Sequence, residues 1–256
     1  MMRNRFTAKH VVITGAARGI GYEIAKQFAT EGAVVSLLDN NLDNLKIAQK
    51  SLEAFAAKIH IYAVDIADRA TVNTVVAQLE SVQAIDILVN NAGIAMETPF
   101  LNIEEAEWKK IIDVNLTGYF HVSQAVCRAM AERKQGVVVN MASKNGLDGE
   151  AGYAHYNASK GAIVMLTKTM ALELAHLGIR VNAVCPGYIQ TPMSMGIDSP
   201  EFTKNFVDRY IPLNRPGKVE EIAPIFLFLA SEESSFITGQ VIVADGGQLA
   251  GQKPSM

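Results

Sequence analysis

Three side chains in the middle of the chain have the types and spacing needed to move a proton to or from an oxygen atom. Tyr156 and Lys160 are four residues apart in a stretch of helical spacing, so both lie on one helix face about one turn apart. An ammonium beside a phenol lowers its ordinary pKa of ~10 by stabilising the phenolate. We therefore expect Tyr156 to act as general acid or base, with Ser143 donating a hydrogen bond to the oxygen that gains charge.

A glycine-rich turn near the start of the chain has the pattern of a diphosphate-binding loop. An apolar run, residues 10–14, leads directly into Gly15-Ala16-Ala17-Arg18-Gly19-Ile20-Gly21. Backbone N–H groups and the positive end of a helix dipole face an anion at such a turn. Asp39 ends the next apolar run, where a carboxylate accepts hydrogen bonds from a ribose 2′-hydroxyl and repels a 2′-phosphate. The pattern favours NAD over NADP, with Arg18 as a partial counterweight for a phosphate.

Each pattern alone also has an ordinary structural interpretation. Three glycines make a tight turn, an aspartate ends many strands, and a Tyr and a Lys one helical turn apart form a surface pair. Their combination in one chain favours the catalytic interpretation.

His155 directly precedes Tyr156, and successive helical residues point in different directions, so we expect His155 to be structural or to contact another subunit.

Short apolar runs alternate with longer stretches of helical spacing. The runs are nearly continuous Val, Ile and Leu, as in a parallel sheet covered by helices on both faces. We predict a doubly wound, Rossmann-like α/β fold with a mainly parallel seven-stranded sheet. The predicted strands are residues 10–14, 33–39, 59–65, 86–90, 136–143, 179–186 and 240–244. The predicted helices are residues 20–30, 41–57, 68–81, 104–133, 153–177 and 219–230.

One long stretch, residues 188–217, contains four prolines and no clear strand or helix of core length. Irregular chain of this length inside a compact fold is more often a functional lid than a connector. We therefore predict one domain over residues 1–256, with a substrate lid near residues 188–217.

Composition and charge exclude several classes of partner. The 256 residues carry 23 basic and 26 acidic side chains, a net charge of −3, which predicts no nucleic-acid surface. The longest apolar stretch is far too short to cross a bilayer, so no membrane partner is expected. Two cysteines are too few for a disulfide framework or a typical metal site, and no metal is expected. Nothing near the start resembles an export signal, so the expected location is cytoplasmic.

Six motifs occur in the order and spacing of one known family. They are the Thr14–Gly21 turn, Asn90-Asn91-Ala92-Gly93, Asn115 after Val114, Ser143, Tyr156 with Lys160, and Pro186-Gly187 followed by Thr191. With these motifs the chain resembles the short-chain dehydrogenase/reductase family, from about residue 10 to residue 247. The resemblance implies a nicotinamide-dependent oxidoreductase that acts on a secondary alcohol or ketone.

The resemblance also implies roles that spacing does not. It assigns Asn115 to a proton relay that links the lysine to solvent. The turn residues Gly15, Arg18, Gly19, Ile20 and Gly21, together with Asp39, are already indicated as cofactor contacts by their positions. The resemblance adds cofactor contacts through Asp65, Ile66, Asn91, Gly93, Tyr156, Lys160, Pro186, Gly187, Ile189 and Thr191. It further implies a homotetramer in which the predicted helices 104–133 and 153–177 contact neighbouring subunits.

The loop between Ser143 and Tyr156 gives a hint about the substrate. Its polar residues Asn145, Glu150 and Tyr153, together with those two hydroxyls, form a lining that suits hydroxyl groups. We expect a small-molecule substrate, namely a polyol, a sugar or a hydroxy acid. The opposing interpretation, that this loop is solvated surface, stays open.

Two alternative functions also stay open. One is an NADPH-dependent ketoreductase of biosynthesis acting on an acyl or apolar ketone, against which Asp39 argues. The residues that could cover an apolar substrate are Met193, Met195, Phe202 and Phe206, which in other proteins more often pack a lid down. The other alternative is a catalytically silent NAD(H)-sensing protein, against which the intact Ser143, Tyr156 and Lys160 argue.

Overall fold

A single parallel sheet organises the computed structural model, which describes residues 4–55 and 58–252. Its strands are β1 (His10–Thr14), β2 (Val34–Asp39), β3 (Ile59–Ala63), β4 (Ile87–Asn90), β5 (Gly136–Met141), β6 (Ile179–Pro186) and β7 (Val241–Ala244). Their order is β3-β2-β1-β4-β5-β6-β7, and every neighbouring pair is parallel. The predicted sheet is confirmed. The chain builds outwards in one direction from β1 and then in the other from β4, which leaves a crevice at the carboxyl ends of these two strands.

Helices cover both faces of the sheet, as predicted. They are α1 (Gly19–Thr30), α2 (Leu42–Leu52), α3 (Arg69–Val82), α4 (Glu105–Ile112), α5 (Gly118–Arg133), α6 (Ala154–Leu174), α7 (Pro192–Ile197), α8 (Pro200–Tyr210) and α9 (Val219–Ala230). One buried cluster joins the sheet to α1, α2 and α9, and a second joins it to α3, α5 and α6. Residues 56 and 57, the end of the predicted helix 41–57, lie outside the described residues. Within the described ranges, no helix is both long and apolar enough to span a bilayer.

The single helix predicted over residues 104–133 is interrupted in the structure. α4 ends at Ile112, Asp113–Thr117 form a π-helical turn, and α5 continues directly from it. π-helical turns often lie at functional sites, and hydrophobic spacing over a long helix does not reveal one inserted residue. Asn115 lies in this turn. Its Oδ1 accepts from the Ile94 N–H and its Nδ2 donates to the Ile94 carbonyl, both at 2.9 Å, which fixes the loop after β4.

The prediction that residues 188–217 contain no helix of core length is wrong. This 188–217 segment contains α7 and α8, and each helix begins with a proline at its first position. The Thr191 and Ser199 side chains cap the two helices by accepting from the N–H groups of Ser194 and Phe202. Proline suits the first turn of a helix because its missing N–H has no intrahelical partner there. The prolines that suggested broken structure therefore mark helix starts.

Candidate active site

A cleft of about 650 Å³ opens at the carboxyl ends of the central strands, a size typical of small-molecule sites. The turn after β1 and the loops after β4, β5 and β6 contribute to its lining. Every residue predicted above to contact cofactor or substrate lines this cleft. Asn115, the remaining predicted residue, does not line it and is fully buried behind the loop that it holds.

A network of hydrogen bonds fixes the glycine-rich turn at one end of the cleft. The Thr14 hydroxyl accepts from the N–H groups of Asn91, at 2.9 Å, and Ala92, at 3.1 Å. The Asn91 side-chain amide donates to the carbonyls of Thr14 and Gly15, both at 2.9 Å. The Asn91 amide, predicted to lie beside a ribose, is thus engaged in joining β1 to the end of β4.

The turn has the shape and free donors that suit a diphosphate. Gly15 and Gly19 adopt φ angles of +62° and +61°, a backbone region that side chains disfavour. Arg18 precedes α1 without capping it through its side chain, and the first turn of α1 carries no acidic residue. The first N–H groups of a helix lack intrahelical partners, so here they are available to an anion. The residues present therefore fit the diphosphate of a dinucleotide.

We expect Gly21→Ala to weaken dinucleotide binding. A Cβ at Gly21 would lie 2.3 Å from the Gly15 carbonyl oxygen and 2.4 Å from the Asn91 amide nitrogen, so the clamped turn would have to shift. The Kd for NADH, measured by fluorescence titration, should rise at least about tenfold, since even small displacements disrupt several close contacts at once. Gly149→Ala is the matched control, because a Cβ there meets nothing within 4 Å. An unchanged Kd in Gly21→Ala would contradict this description of the turn.

Asp39 is fixed at the end of β2, beside the glycine-rich turn. Its Oδ2 accepts from the Ala17 N–H at 3.3 Å, and its Oδ1 accepts from the Asn41 N–H at 3.1 Å. Asp65, just beyond β3, accepts from the Ala67 N–H at 2.9 Å. Both carboxylates line the cleft that also contains the Arg18 side chain. The sheet thus presents two anchored carboxylates and one guanidinium at the end of the cleft nearest β2.

Ser143, Tyr156 and Lys160 meet at the other end of the cleft. The Ser143 hydroxyl is within hydrogen-bond reach of the Tyr156 phenol oxygen. Lys160 is only 2 % exposed, and its Nζ donates to the Met141 carbonyl at 2.9 Å. The same Nζ lies 5.7 Å from the centre of the Tyr156 ring. Gly93 lies beside this lysine, since a Cβ there would be 3.5 Å from Nζ and a tighter 3.3 Å from the Asn115 Oδ1.

The protonation states here differ from the simplest expectation. Burial raises the pKa of Tyr156 above its ordinary value, and the hydrogen bond from Ser143 opposes that rise. Burial also lowers the pKa of Lys160 to about 8. The lowering of the Tyr156 pKa expected from its lysine neighbour is therefore not seen, because burial of the phenol is the largest influence on this pKa and raises it. At neutral pH the phenol carries its proton and the lysine is mostly charged.

Two polar residues that the sequence interpretation missed hold the start of α6 in place. Glu107 on α4 accepts from His155 Nε2 at 2.7 Å, while His155 Nδ1 accepts from the Tyr156 N–H at 2.9 Å. His155 is fully buried and has the structural role that was one of its two expected roles. Asn157 bonds both Asn145 and the Glu150 carbonyl, at 2.9 Å each. Pairings between separate elements leave no periodic signal in a sequence, which is why both were missed.

The 188–217 segment lies over both ends of the cleft. Pro192 of α7 is close to the turn, since a Cβ at Gly19 would lie 3.8 Å from its Cδ. Thr191, predicted to lie at the nicotinamide end, lines the cleft while its hydroxyl caps α7. The apolar residues Met193, Phe202 and Phe206 also line the cleft, and Met195 does not. The segment therefore brings both polar and apolar side chains to the site.

Comparisons with known proteins agree with this geometry. The model of a family described as enoyl-(acyl carrier protein) reductase matches residues 15–248. A 3-oxoacyl-[acyl-carrier-protein] reductase of Thermotoga maritima is 43% identical over 244 residues, covering 95% of this chain and 98% of the relative.

Solved structures with the same fold include close neighbours. A short-chain type dehydrogenase/reductase from Mycobacterium marinum superposes with a TM-score of 0.92 at 35% identity, covering 97% of this chain and 98% of the other. A gluconate 5-dehydrogenase from Burkholderia cenocepacia, in complex with NADP and tartrate, gives 0.92 at 34% identity and 98% of both chains. With these matches and the site described above, the chain belongs to the short-chain dehydrogenase/reductase family of oxidoreductases.

Proposed function

We propose that this protein transfers hydride between NAD and a secondary alcohol or ketone, with a polyol, a sugar or a hydroxy acid as substrate. The observation that carries the proposal is the contact of the Ser143 hydroxyl with the Tyr156 phenol, beside the buried Lys160. The glycine-rich turn lines the same cleft. A panel of secondary alcohols assayed with NAD, and of ketones with NADH, tests the proposal.

The catalytic residues would work as follows. In reduction, Ser143 and Tyr156 donate hydrogen bonds to the substrate carbonyl oxygen, and Tyr156 transfers its proton as that oxygen gains charge. The Lys160 ammonium stabilises the phenolate that this transfer leaves behind. In oxidation, the phenolate removes the hydroxyl proton of the alcohol. A nicotinamide cofactor supplies the hydride in one direction and accepts it in the other.

The preference for NAD rests on Asp39. Its carboxylate is anchored beside the turn by Ala17 and Asn41 and lines the cleft. Unit charges about 5 Å apart at the protein surface repel each other by about 3 kcal/mol, which disfavours a 2′-phosphate near this group. The positive charge of Arg18, which also lines the cleft, would favour a 2′-phosphate. The similar gluconate 5-dehydrogenase from Burkholderia, solved in complex with NADP, also argues for NADP.

Asp39→Asn should shift the cofactor preference towards NADP. The amide keeps a hydrogen-bonding oxygen and loses the charge, so we expect the Kd for NADPH to fall about 10-fold or more relative to the Kd for NADH. Equilibrium fluorescence titration with both cofactors measures the ratio. Asp43→Asn is the matched control, because the Asp43 side chain is 92% exposed in the first turn of α2. Tighter binding of NADPH than of NADH by the unmodified protein would overturn the NAD assignment.

A second candidate is an NADPH-dependent reductase of acyl ketones. The 43% identity to a protein named 3-oxoacyl-[acyl-carrier-protein] reductase favours it, as do Met193, Phe202 and Phe206 along the cleft. Reduction of an acetoacetyl thioester with NADPH, faster than any polyol oxidation with NAD, would establish this candidate. A protein that binds NADH but turns over no alcohol or ketone at any pH would instead be a cofactor sensor.

We also propose how the chain is organised and where it works. Residues 1–256 form one domain whose 188–217 segment covers the bound substrate. Four chains assemble through α5 and α6, which expose the apolar side chains of Phe120, Met165 and Leu172. Light scattering of the purified protein measures the assembly, and a monomer would contradict it.

Cys127 and Cys185 are free and buried, which fits a reducing compartment such as the cytoplasm.

A further inference from the structure

An ion pair between a buried lysine and a half-buried glutamate lies next to the catalytic serine. Lys144 Nζ is 2.8 Å from a carboxylate oxygen of Glu150, with the lysine side chain 7% exposed and that of the glutamate 26% exposed. Both residues line the cleft. The Lys144 Nζ also lies 6.0 Å from the centre of the Phe206 ring on α8. The pair therefore lies between the catalytic serine and the segment that covers the cleft.

The positions of both partners are fixed relative to Tyr156. Asn157, one residue after Tyr156 on α6, binds the side chain of Asn145 and the backbone carbonyl of Glu150. The 3₁₀ turn Lys144–Gly146 follows Ser143, whose hydroxyl accepts from the Asn145 N–H at 3.2 Å. The loop that carries the pair is thus joined to the helix that carries the catalytic phenol.

Such a pair is poorly explained by stability. Removing two charges from water costs about as much as their attraction returns, and apolar replacements often stabilise a protein equally well. An ammonium has three N–H donors, and the Lys144 Nζ has no other hydrogen-bond partner within residues 4–55 and 58–252. The pair therefore offers free donors and acceptors to a molecule in the cleft.

The charges around the pair disfavour an anion. Burial, together with the carboxylates of Glu97, Asp198 and Glu150, raises the pKa of the neighbouring Tyr153. Against these three carboxylates stand two ammonium groups, that of Lys144, paired with Glu150, and that of Lys160 beside Tyr156. A carboxylate or phosphate on the substrate would therefore enter a neutral to negative field. A hydroxyl group, which both donates and accepts, can bind to the ammonium and the carboxylate together.

We propose that Lys144 and Glu150 bind a hydroxyl group of the substrate adjacent to the reacting carbon, and so select neutral polyols or sugars over hydroxy acids. The inference rests on the proposed alcohol or ketone chemistry and narrows its substrate class. Sites built to bond a hydroxyl discriminate strongly, because an analogue that lacks it leaves buried polar groups unpaired. Lys144 was absent from the residues that the sequence indicated, since a lone lysine in a polar loop has no distinguishing pattern.

Three matched substrates test the proposal with NAD: butane-2,3-diol, butan-2-ol and 3-hydroxybutyrate. All three contain a CH3–CH(OH) group and differ in what the neighbouring carbon carries. That carbon carries a hydroxyl in the diol, no polar group in butan-2-ol and a carboxylate in 3-hydroxybutyrate. We expect kcat/KM for the diol to exceed that for the mono-alcohol about 100-fold or more, chiefly through KM, with 3-hydroxybutyrate below the diol. Lys144→Met and Glu150→Gln should each reduce the diol to mono-alcohol ratio about tenfold.

Lys204→Met removes the lysine of a solvent-exposed ion pair on α8 and should leave the ratio unchanged. NADH titration and circular dichroism verify that each variant is folded, and Glu150→Gln keeps the test valid where Lys144→Met does not fold. Preference for 3-hydroxybutyrate over the diol, or an unchanged ratio in both variants, overturns the inference while the alcohol chemistry stands. Absence of turnover for all three alcohols and for their ketones overturns the proposed function itself.

Discussion

Tyr156→Phe should reduce kcat about a thousandfold while the Kd for NADH stays within about twofold. The variant removes one hydroxyl that contacts Ser143 and leaves a ring of the same shape in the same partly buried position. Without that hydroxyl, the group that contacts Ser143 beside Lys160 can no longer donate the proton to the substrate oxygen or remove it. Steady-state rates in both directions and fluorescence titration with NADH measure the two effects.

A matched control separates loss of chemistry from loss of fold. Tyr210→Phe removes the hydroxyl of a tyrosine that is 44% exposed at the end of α8, so it should leave kcat unchanged. Undiminished turnover in Tyr156→Phe would show that a different group moves the proton, and the assignment of the site would fail.

Lys160→Met should reduce kcat/KM about 100-fold and should change how stability depends on pH. The folded protein holds this lysine with a pKa of about 8, lowered by burial from its ordinary 10.5. Between these two values the unfolded chain binds more protons than the folded chain, so the lysine makes the free energy of unfolding rise with pH. Below pH 8 the buried charge destabilises the fold to its full extent, and Lys160→Met removes that cost.

The dependence on pH can be measured as a change in melting temperature. The difference in Tm between Lys160→Met and the unmodified protein should be more positive at pH 7 than at pH 10, with no cofactor added. Loss of the hydrogen bond to the Met141 carbonyl shifts the Tm of the variant by the same amount at both pH values, so it does not alter this comparison. Lys168→Met is the control, since Lys168 is exposed on the same helix and should give a constant difference. A difference for Lys160→Met that does not vary between pH 7 and pH 10 would contradict the burial of a charged lysine.

Most of the fold could be predicted from the sequence because its signal is local. Nearly continuous apolar runs such as Val34–Asp39 and Ile87–Asn90 indicate strands buried on both faces, and the structure has them there. The helices of the 188–217 segment were missed because proline was interpreted as a breaker, whereas Pro192 and Pro200 begin α7 and α8. The π-helical turn at Asn115 was missed as an element because one inserted residue barely changes the helical spacing of a long segment.

The candidate active site was likewise only partly predictable from the sequence. By itself, the sequence determined which residue types occur at motif spacing, and it placed Tyr156 and Lys160 on one helix face, because residues four apart are neighbours in any helix. Only the tertiary structure decided what surrounds them. The raised pKa of Tyr156, the pairing of Lys144 with Glu150 and the bond between Glu107 and His155 all depend on burial and on contacts between separate elements. Desolvation and pairing are properties of a packed environment, and a local pattern of residues does not contain them.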